Sequence, residues 1–216
     1  MGQKVNPINF RTGGIFNWKS LWFASKADYA NKVLEDFRLR QYLEKSLANA
    51  GLVDVEIKRS INKLLLILSV ARPGVVIGKG GANLDKVKQG VERVVNVAKD
   101  KKDKARIELK VEEVKKPDLS AKLVVEKIVS QLLARFPHRR AVSQAMERVM
   151  AAGAKGVKIQ LSGRIAGAEI ARSEKYFQGS IPTQTLRANI DYYEAPAKTR
   201  SGFVGIKVWI YKGEII

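Results

Sequence analysis

The 216-residue chain sets 40 Lys and Arg against 21 Asp and Glu, a formal charge of +19, with 45% of its residues hydrophobic. Self-repulsion on that scale disfavours a compact state without an anionic partner, which leaves nucleic acid or an acidic membrane. The longest apolar run, residues 64–68, is strand-sized and far short of the ~20 residues that cross a bilayer. Cysteine is absent, which excludes a disulfide framework and a thiolate metal cluster and fits a reducing, cytoplasmic setting.

The start, Met1-Gly2-Gln3-Lys4, lacks the apolar core of a secretory signal. Asn6 stands where a myristoylation motif wants Ser or Thr. Residues 1–25 read as an extended basic arm. Pro7 and Gly13-Gly14 oppose a helix, and no acidic residue offsets Lys4, Arg11 and Lys19. Such an arm is either a frayed terminus or a strand threaded along phosphates, with Lys4, Arg11 and Lys19 as its RNA contacts. Trp18, Trp22 and Phe23 argue that it packs on something.

Residues 26–50 have helical spacing, with Val33, Phe37, Leu43 and Leu47 as the apolar stripe and Gly51 as the stop. Val53, Val55 and Ile57 alternate with Asp54, Glu56 and Lys58, which predicts a half-buried strand. A second strand over 64–71 is apolar on both faces and therefore central, with Asn62 in the turn between the two. A short apolar turn, 73–77, leads into Gly78-Lys79-Gly80-Gly81. Leu84, Val87, Val91, Val94 and Val95 then mark an amphipathic helix. Residues 99–104 predict a solvated loop, and Ile107, Leu109 and Val111 a third strand.

Lys115-Lys116-Pro117 breaks this pattern and sets the boundary between two domains, 26–116 and 117–216. The second opens with helices over 119–136 and 139–152, the latter capped by Gly153. Four strands are expected near 156–162, 167–177, 184–193 and 203–211. The fold class is α+β, a three-stranded sheet with helices followed by two helices on a four-stranded antiparallel sheet.

The glycine tetrapeptide alone is a weak signal, and its position between an apolar turn and a helix start strengthens it. Glycine permits positive φ and close backbone approach, the following helix start attracts anions, and Lys79 adds a mobile cation. A tight turn without a ligand is the plain alternative. A nucleotide-binding phosphate loop is excluded, because Gly81 is followed by Ala82 and Asn83 rather than Lys and Ser or Thr. Arg135, Arg139 and Arg140 read either as a solvated helix start or as contacts to an external anion. Cations there oppose the helix dipole, which favours the anion. His138, the only histidine, falls in a turn and reads as a surface residue. Glu112-Glu113 and the pair Glu169 and Glu174 read as strand-edge or ion-pair carboxylates. No set of residues combines nucleophile, base and orienting group, so the reading is non-enzymatic, with no cofactor and no metal.

The segment Arg72-Pro73-Gly74-Val75-Val76-Ile77-Gly78-Lys79-Gly80-Gly81 resembles a type II KH domain. The start Met1-Gly2-Gln3-Lys4-Val5-Asn6-Pro7 is similar to the bacterial ribosomal protein S-three family. So are Arg40-Gln41-Tyr42-Leu43, Ser162-Gly163-Arg164, Gly167-Ala168-Glu169-Ile170-Ala171-Arg172 and Val208-Trp209-Ile210. The resemblance spans essentially the whole chain. It implies a place in the head of the small ribosomal subunit, on ribosomal RNA, near the channel by which messenger enters. The tenth and fourteenth small-subunit proteins would flank the C-terminal half, with no membrane and no second copy of the chain. It assigns Gly78, Lys79, Gly80 and Gly81 to RNA, and Arg139 and Arg140, with Arg135 nearby, to messenger. Many members have Lys at the position of Gly80, and basic residues at those of Ser143 and Gln144. The alternative is a free KH regulator that visits many RNAs.

Overall fold

The computed structural model describes residues 4–60, 63–96 and 106–215. The turn expected at Asn62 and the loop expected at 99–104 lie outside the described residues, as do Met1, Gly2 and Gln3. In chain order the elements are α1 (Pro7–Phe10), β1 (Ser20–Leu21), α2 (Lys26–Ser46), β2 (Leu52–Arg59), β3 (Lys63–Val70), α3 (Pro73–Ile77) and α4 (Ala82–Asn96). There follow β4 (Arg106–Glu113), α5 (Ala121–Leu133), α6 (His138–Ala151), β5 (Gly156–Gly163), β6 (Arg172–Gly179), β7 (Ala188–Thr199) and β8 (Gly202–Glu214). They form two compact units, one of residues 18–115 and one of residues 116–216 together with 1–17.

In the first unit a sheet of order β1-β2-β3-β4 carries α2 and α4. β3 is central, antiparallel to β2 and parallel to β4. A parallel neighbour demands a crossover, and α3 and α4 supply it. The glycine loop therefore sits inside that crossover. Leu39 and Leu43 of α2 and Val87, Val91 and Val95 of α4 pack on Val55, Ile57, Leu64, Leu66 and Leu68. Each such burial contributes roughly 1.5–3 kcal/mol.

Two expectations need correction here. The sheet has four strands rather than three, because the arm contributes β1, parallel to β2. The stripe on α2 is also displaced. Leu43 and Leu47 are buried, but Val33 and Phe37 are 41% and 58% exposed. The buried face instead includes Glu35 and Asp36, which Arg59 draws inward. Arg59 donates from Nη1 to Glu35 at 2.7 Å and from Nε to Asp36 at 3.0 Å, and also bonds Asp36 through Nη2. The indole N–H of Trp22 donates to the other Asp36 oxygen at 2.8 Å.

In the second unit the antiparallel order is β6-β5-β8-β7, with α5 and α6 on one face. Val124, Val125, Ile128, Val142, Ala145 and Val149 pack on Val157, Ile159, Leu161, Ile206 and Val208. β6 begins at Arg172 rather than 167, because Ile165–Gly167 is a 3-10 turn. β7 begins at Ala188 rather than 184 and runs on to Thr199. The first helix stops at Leu133, short of the expected 136.

The arm is extended only in part: it forms β1, but Pro7–Phe10 is helical. Pro7 opens the short helix α1 rather than opposing it, because a first-turn proline has no N–H to lose. Asn6 caps that helix, its side chain accepting from the Ile8 amide at 2.9 Å. Residues 4–17 belong with the second unit, where a small apolar cluster of Ala188, Ile190 and Tyr211 fills one end of the outer sheet face.

Candidate nucleic-acid interface

The glycine loop follows α3 directly. Gly78 has φ 69° and ψ −176°, and a Cβ there would lie 2.8 Å from Cγ of Asn83. Asn83 cannot retreat freely, since its amide donates to the Val75 carbonyl at 3.2 Å. Gly80 also has positive φ, 60°, but a Cβ there would meet nothing within 4 Å. Gly78 is thus held by crowding and Gly80 by backbone conformation alone, which leaves the Gly80 backbone open to approach. Lys79 is exposed, and its ammonium has no ion pair or hydrogen bond among the described residues. The start of α4 comes next, with the Ala82 amide donating back to the Lys79 carbonyl. The 73–77 stretch is a helix rather than a turn; Val76 is buried, while Val75 and Ile77 stay 45% and 43% exposed beside the loop. They are an apolar shelf that sequence reading did not single out.

The second candidate cluster lies where α5 meets α6. Arg135 has φ 60°, a left-handed residue that closes α5: its amide donates to Leu132 and that of Phe136 to Gln131, at 3.0 and 2.9 Å. Arg135 also lines a cleft of about 640 Å³ with Arg164, Lys198 and Arg200. Arg139 and Arg140 are exposed in the first turn of α6, as are Ser143 and Glu147 further along. Gln144 turns the other way and accepts a hydrogen bond from Gln131 at 3.0 Å, tying the two helices together.

His138 is not a free surface residue. It opens α6, its side chain only 14% exposed, and its Nε2 lies 3.1 Å from Glu174. The Tyr176 hydroxyl donates to the same carboxylate at 2.5 Å and Arg172 contacts it at 3.0 Å. The Tyr176 hydrogen bond, then His138 and Arg172, hold Glu174 below the usual carboxylate range against the opposing effect of burial. Burial and then Glu174 push the Tyr176 phenol up, while neighbouring Arg139 pulls it back. The start of α6 is thus tied to β6 by a hydrogen-bonded carboxylate.

The three arm cations fare differently. Lys4 is exposed. Arg11 is only 2% exposed and is not at the surface to meet a phosphate. Its guanidinium donates to the carbonyls of Pro7, Thr183 and Thr185, each at 2.9 Å. Lys19 is half exposed and paired with Asp54 at 3.0 Å, so an acidic residue from outside the arm offsets it. Among the arm aromatics, Trp22 is engaged, with its ring 5.5 Å from that of Tyr29, whereas Trp18 and Phe23 are exposed.

Residues 38–119 match the family model described as "KH domain", and residues 128–210 the model described as "Ribosomal protein S3, C-terminal domain". Three similar proteins each carry the description "Small ribosomal subunit protein uS3". That of Pelagibacter ubique is 46% identical over 215 residues, 100% of this chain and 92% of the relative. The Shouchella clausii protein is 44% identical, covering 100% and 94%. That of Exiguobacterium sibiricum is 48% identical, covering 100% and 95%.

Proposed function

The chain belongs to the uS3 family of small ribosomal subunit proteins, and from that premise we propose how its two exposed basic sites are used. Membership makes it a structural, non-enzymatic, RNA-binding component of the small subunit, with ribosomal RNA and ribosomal proteins as its partners. Our reading goes further. The glycine loop clamps the ribosomal RNA backbone, and Arg139 and Arg140, with Arg135, meet messenger at the mouth of its channel. The particle is cytoplasmic, the chain lies in the subunit head, and the tenth and fourteenth small-subunit proteins flank its C-terminal half.

The observation that carries this reading is the open backbone at Gly80 beside an unpaired Lys79. A phosphate that approaches there meets amides, a helix start and an ammonium, with no side chain in its path. At α6 two exposed guanidiniums stand where the helix dipole repels them, and an external anion offsets that cost. The test of the clamp is RNA affinity of the full chain with Lys79→Asp and Gly80→Asp together. Gly80→Asn serves as the control for strain at φ 60°, because Asn tolerates left-handed backbone. Affinity should fall much further for the Asp pair than for the control, whose neutral side chain only narrows the approach; equal affinity for all three reduces the loop to a turn. Retention of the chain on small subunits through a high-salt wash separates a resident protein from a free regulator.

A further inference from the structure

The outer face of the second unit's sheet, opposite α5 and α6, has a composition that the fold does not require. Val157, Ile159 and Leu161 of β5 are buried against the helices, so Lys158, Gln160 and Ser162 point the other way. Strand register extends this face sideways. Lys158 lies between Phe177 and Trp209, Gln160 between Lys175 and Lys207, and Ser162 between Ser173 and Gly205. Successive rows on one face stand about 6.8 Å apart, twice the strand rise.

Three properties of these rows point to one kind of ligand. First, Lys158 and Lys175 converge with Lys4 of the arm, and none of the three makes an ion pair among the described residues. Burial, then Lys4 and Lys175, hold the Lys158 ammonium below its ordinary value. The carboxylate on this face, Glu194, is taken up by Lys207 at 3.3 Å, so the three like charges are relieved by an external anion. Second, Phe177 is 73% exposed on an edge strand, paired in register with Lys158, whose ammonium sits 5.1 Å from the Trp209 ring. Third, Gln160 donates to Ser173 at 3.2 Å, and Ser173 and Ser162 hydroxyls lie 3.2 Å apart. That short chain of neutral donors and acceptors suits base edges. Cations alone would fit any polyanion, and an apolar patch alone would fit a protein. Aromatic ring, lysines and neutral hydrogen-bonding groups in adjacent rows of a sheet fit unpaired RNA.

We infer that this sheet face is a second RNA-binding platform, on which an unpaired nucleotide stacks on Phe177 while Lys158, Lys175 and Lys4 hold its phosphates and Gln160, Ser162 and Ser173 meet the base edge. The glycine loop belongs to the first unit, and the α6 arginines lie on the helix side of the second.

Because the chain has no cysteine, Ser173→Cys supplies a single thiol on the platform. An iron chelate tethered there, in small subunits reconstituted with the full chain, should cleave an unpaired stretch of ribosomal RNA, or of labelled messenger in a messenger-loaded arm. Either pattern supports the platform and tells which RNA occupies it. No cleavage, or a thiol that cross-links to a neighbouring protein, overturns it. A second measurement uses the free full chain and a twelve-nucleotide oligouridine. Lys158→Gln, Lys175→Gln and Phe177→Ala together should lower affinity about tenfold, the loss of one stacked base and two phosphate contacts. Phe177 is exposed, so the melting temperature of Phe177→Ala checks that folding is intact. Unchanged affinity overturns the inference, and since Lys79 is untouched, it leaves the glycine-loop reading standing.

Discussion

Arg11 offers the sharpest test of how this chain divides its cations. If it is a fold staple, replacing it should unfold the arm in free protein, with no RNA present. Arg11→Ala strands three carbonyls, those of Pro7, Thr183 and Thr185, which now accept at 2.9 Å. Hydrogen bonds from a charged donor contribute about 1.5–3 kcal/mol each. The gain is reduced because burial opposes the charge, which lowers the Arg11 pKa, and because its buried Nε has no partner. A net loss of about 3 kcal/mol results, allowing for carbonyls that rehydrate when the arm lifts. For a unit of this size that is a drop in Tm of roughly 10 °C. Arg11→Lys should recover little, because one ammonium cannot span three carbonyls held in fork geometry. The assay is thermal unfolding of the full chain by circular dichroism, with limited proteolysis after residue 4 as a local readout. A Tm within 1–2 °C of the parent, together with weaker RNA binding, would refute the staple and return Arg11 to the RNA surface.

Other perturbations have equally definite outcomes. Arg59→Met should cost about 3 kcal/mol by stranding Glu35 and Asp36, and adding Glu35→Leu should restore part of it in urea unfolding. Arg135→Gly should raise stability by about 1 kcal/mol, since φ 60° strains any residue with a Cβ, while slowing passage through messenger hairpins. Ser143→Lys completes the exposed row with Arg140 and should speed translocation through a stable hairpin; equal rates for all variants would detach α6 from that role. A fragment of residues 18–115 should melt more cooperatively than one of 26–116, which lacks β1 and the Trp22–Asp36 bond. Glu174 has a depressed folded pKa, so its contribution to stability is complete above the ordinary 4.5 and is lost as pH falls through the lowered value. Tyr176→Phe should move that loss to higher pH, read by carboxyl NMR titration.

Which features were legible in sequence follows from how local their causes are. β8 announced itself because Val204, Ile206, Val208 and Ile210 all face one core, and period two needs no outside partner. The glycine loop was legible because its spacing and the helix after it lie within a dozen residues. The α2 stripe misled because burial of Glu35 and Asp36 depends on Arg59, 24 and 23 residues away. β1 is two residues long and has no period to detect. Arg11 looked like its arm neighbours because two of its three acceptors are 172 and 174 residues distant. The outer face of the second sheet was hidden differently. Its residues alternate one by one with core positions and come together only once β5, β6 and β8 pair in register.

Formal charge is therefore a poor count of what can reach RNA, and the side chains sort by donor geometry. Three arginines are drawn inward to hold the fold. Arg11 holds the 182–185 loop to α1. Arg40 reaches the carbonyls of Val55 and Lys19 at 2.6 and 3.0 Å, pinning β1 beside β2. Arg59 neutralises two buried carboxylates. In each case a planar fork satisfies several acceptors whose directions are fixed, which a single ammonium cannot do. The lysines at the proposed RNA sites, Lys4, Lys79, Lys158 and Lys175, lack carboxylate partners among the described residues. A compact, strongly hydrated charge on a long stem suits a phosphate whose position varies. Arg→Lys at positions 11 and 40 consequently leaves the charge at +19 yet should unfasten both halves of the arm, whereas Lys79→Arg should leave folding and RNA affinity nearly unchanged. Paired melting and salt-dependent binding curves on the full chain separate the two classes. If Arg40→Lys melts like the parent, charge rather than geometry governs the arm, and the sorting argued here fails.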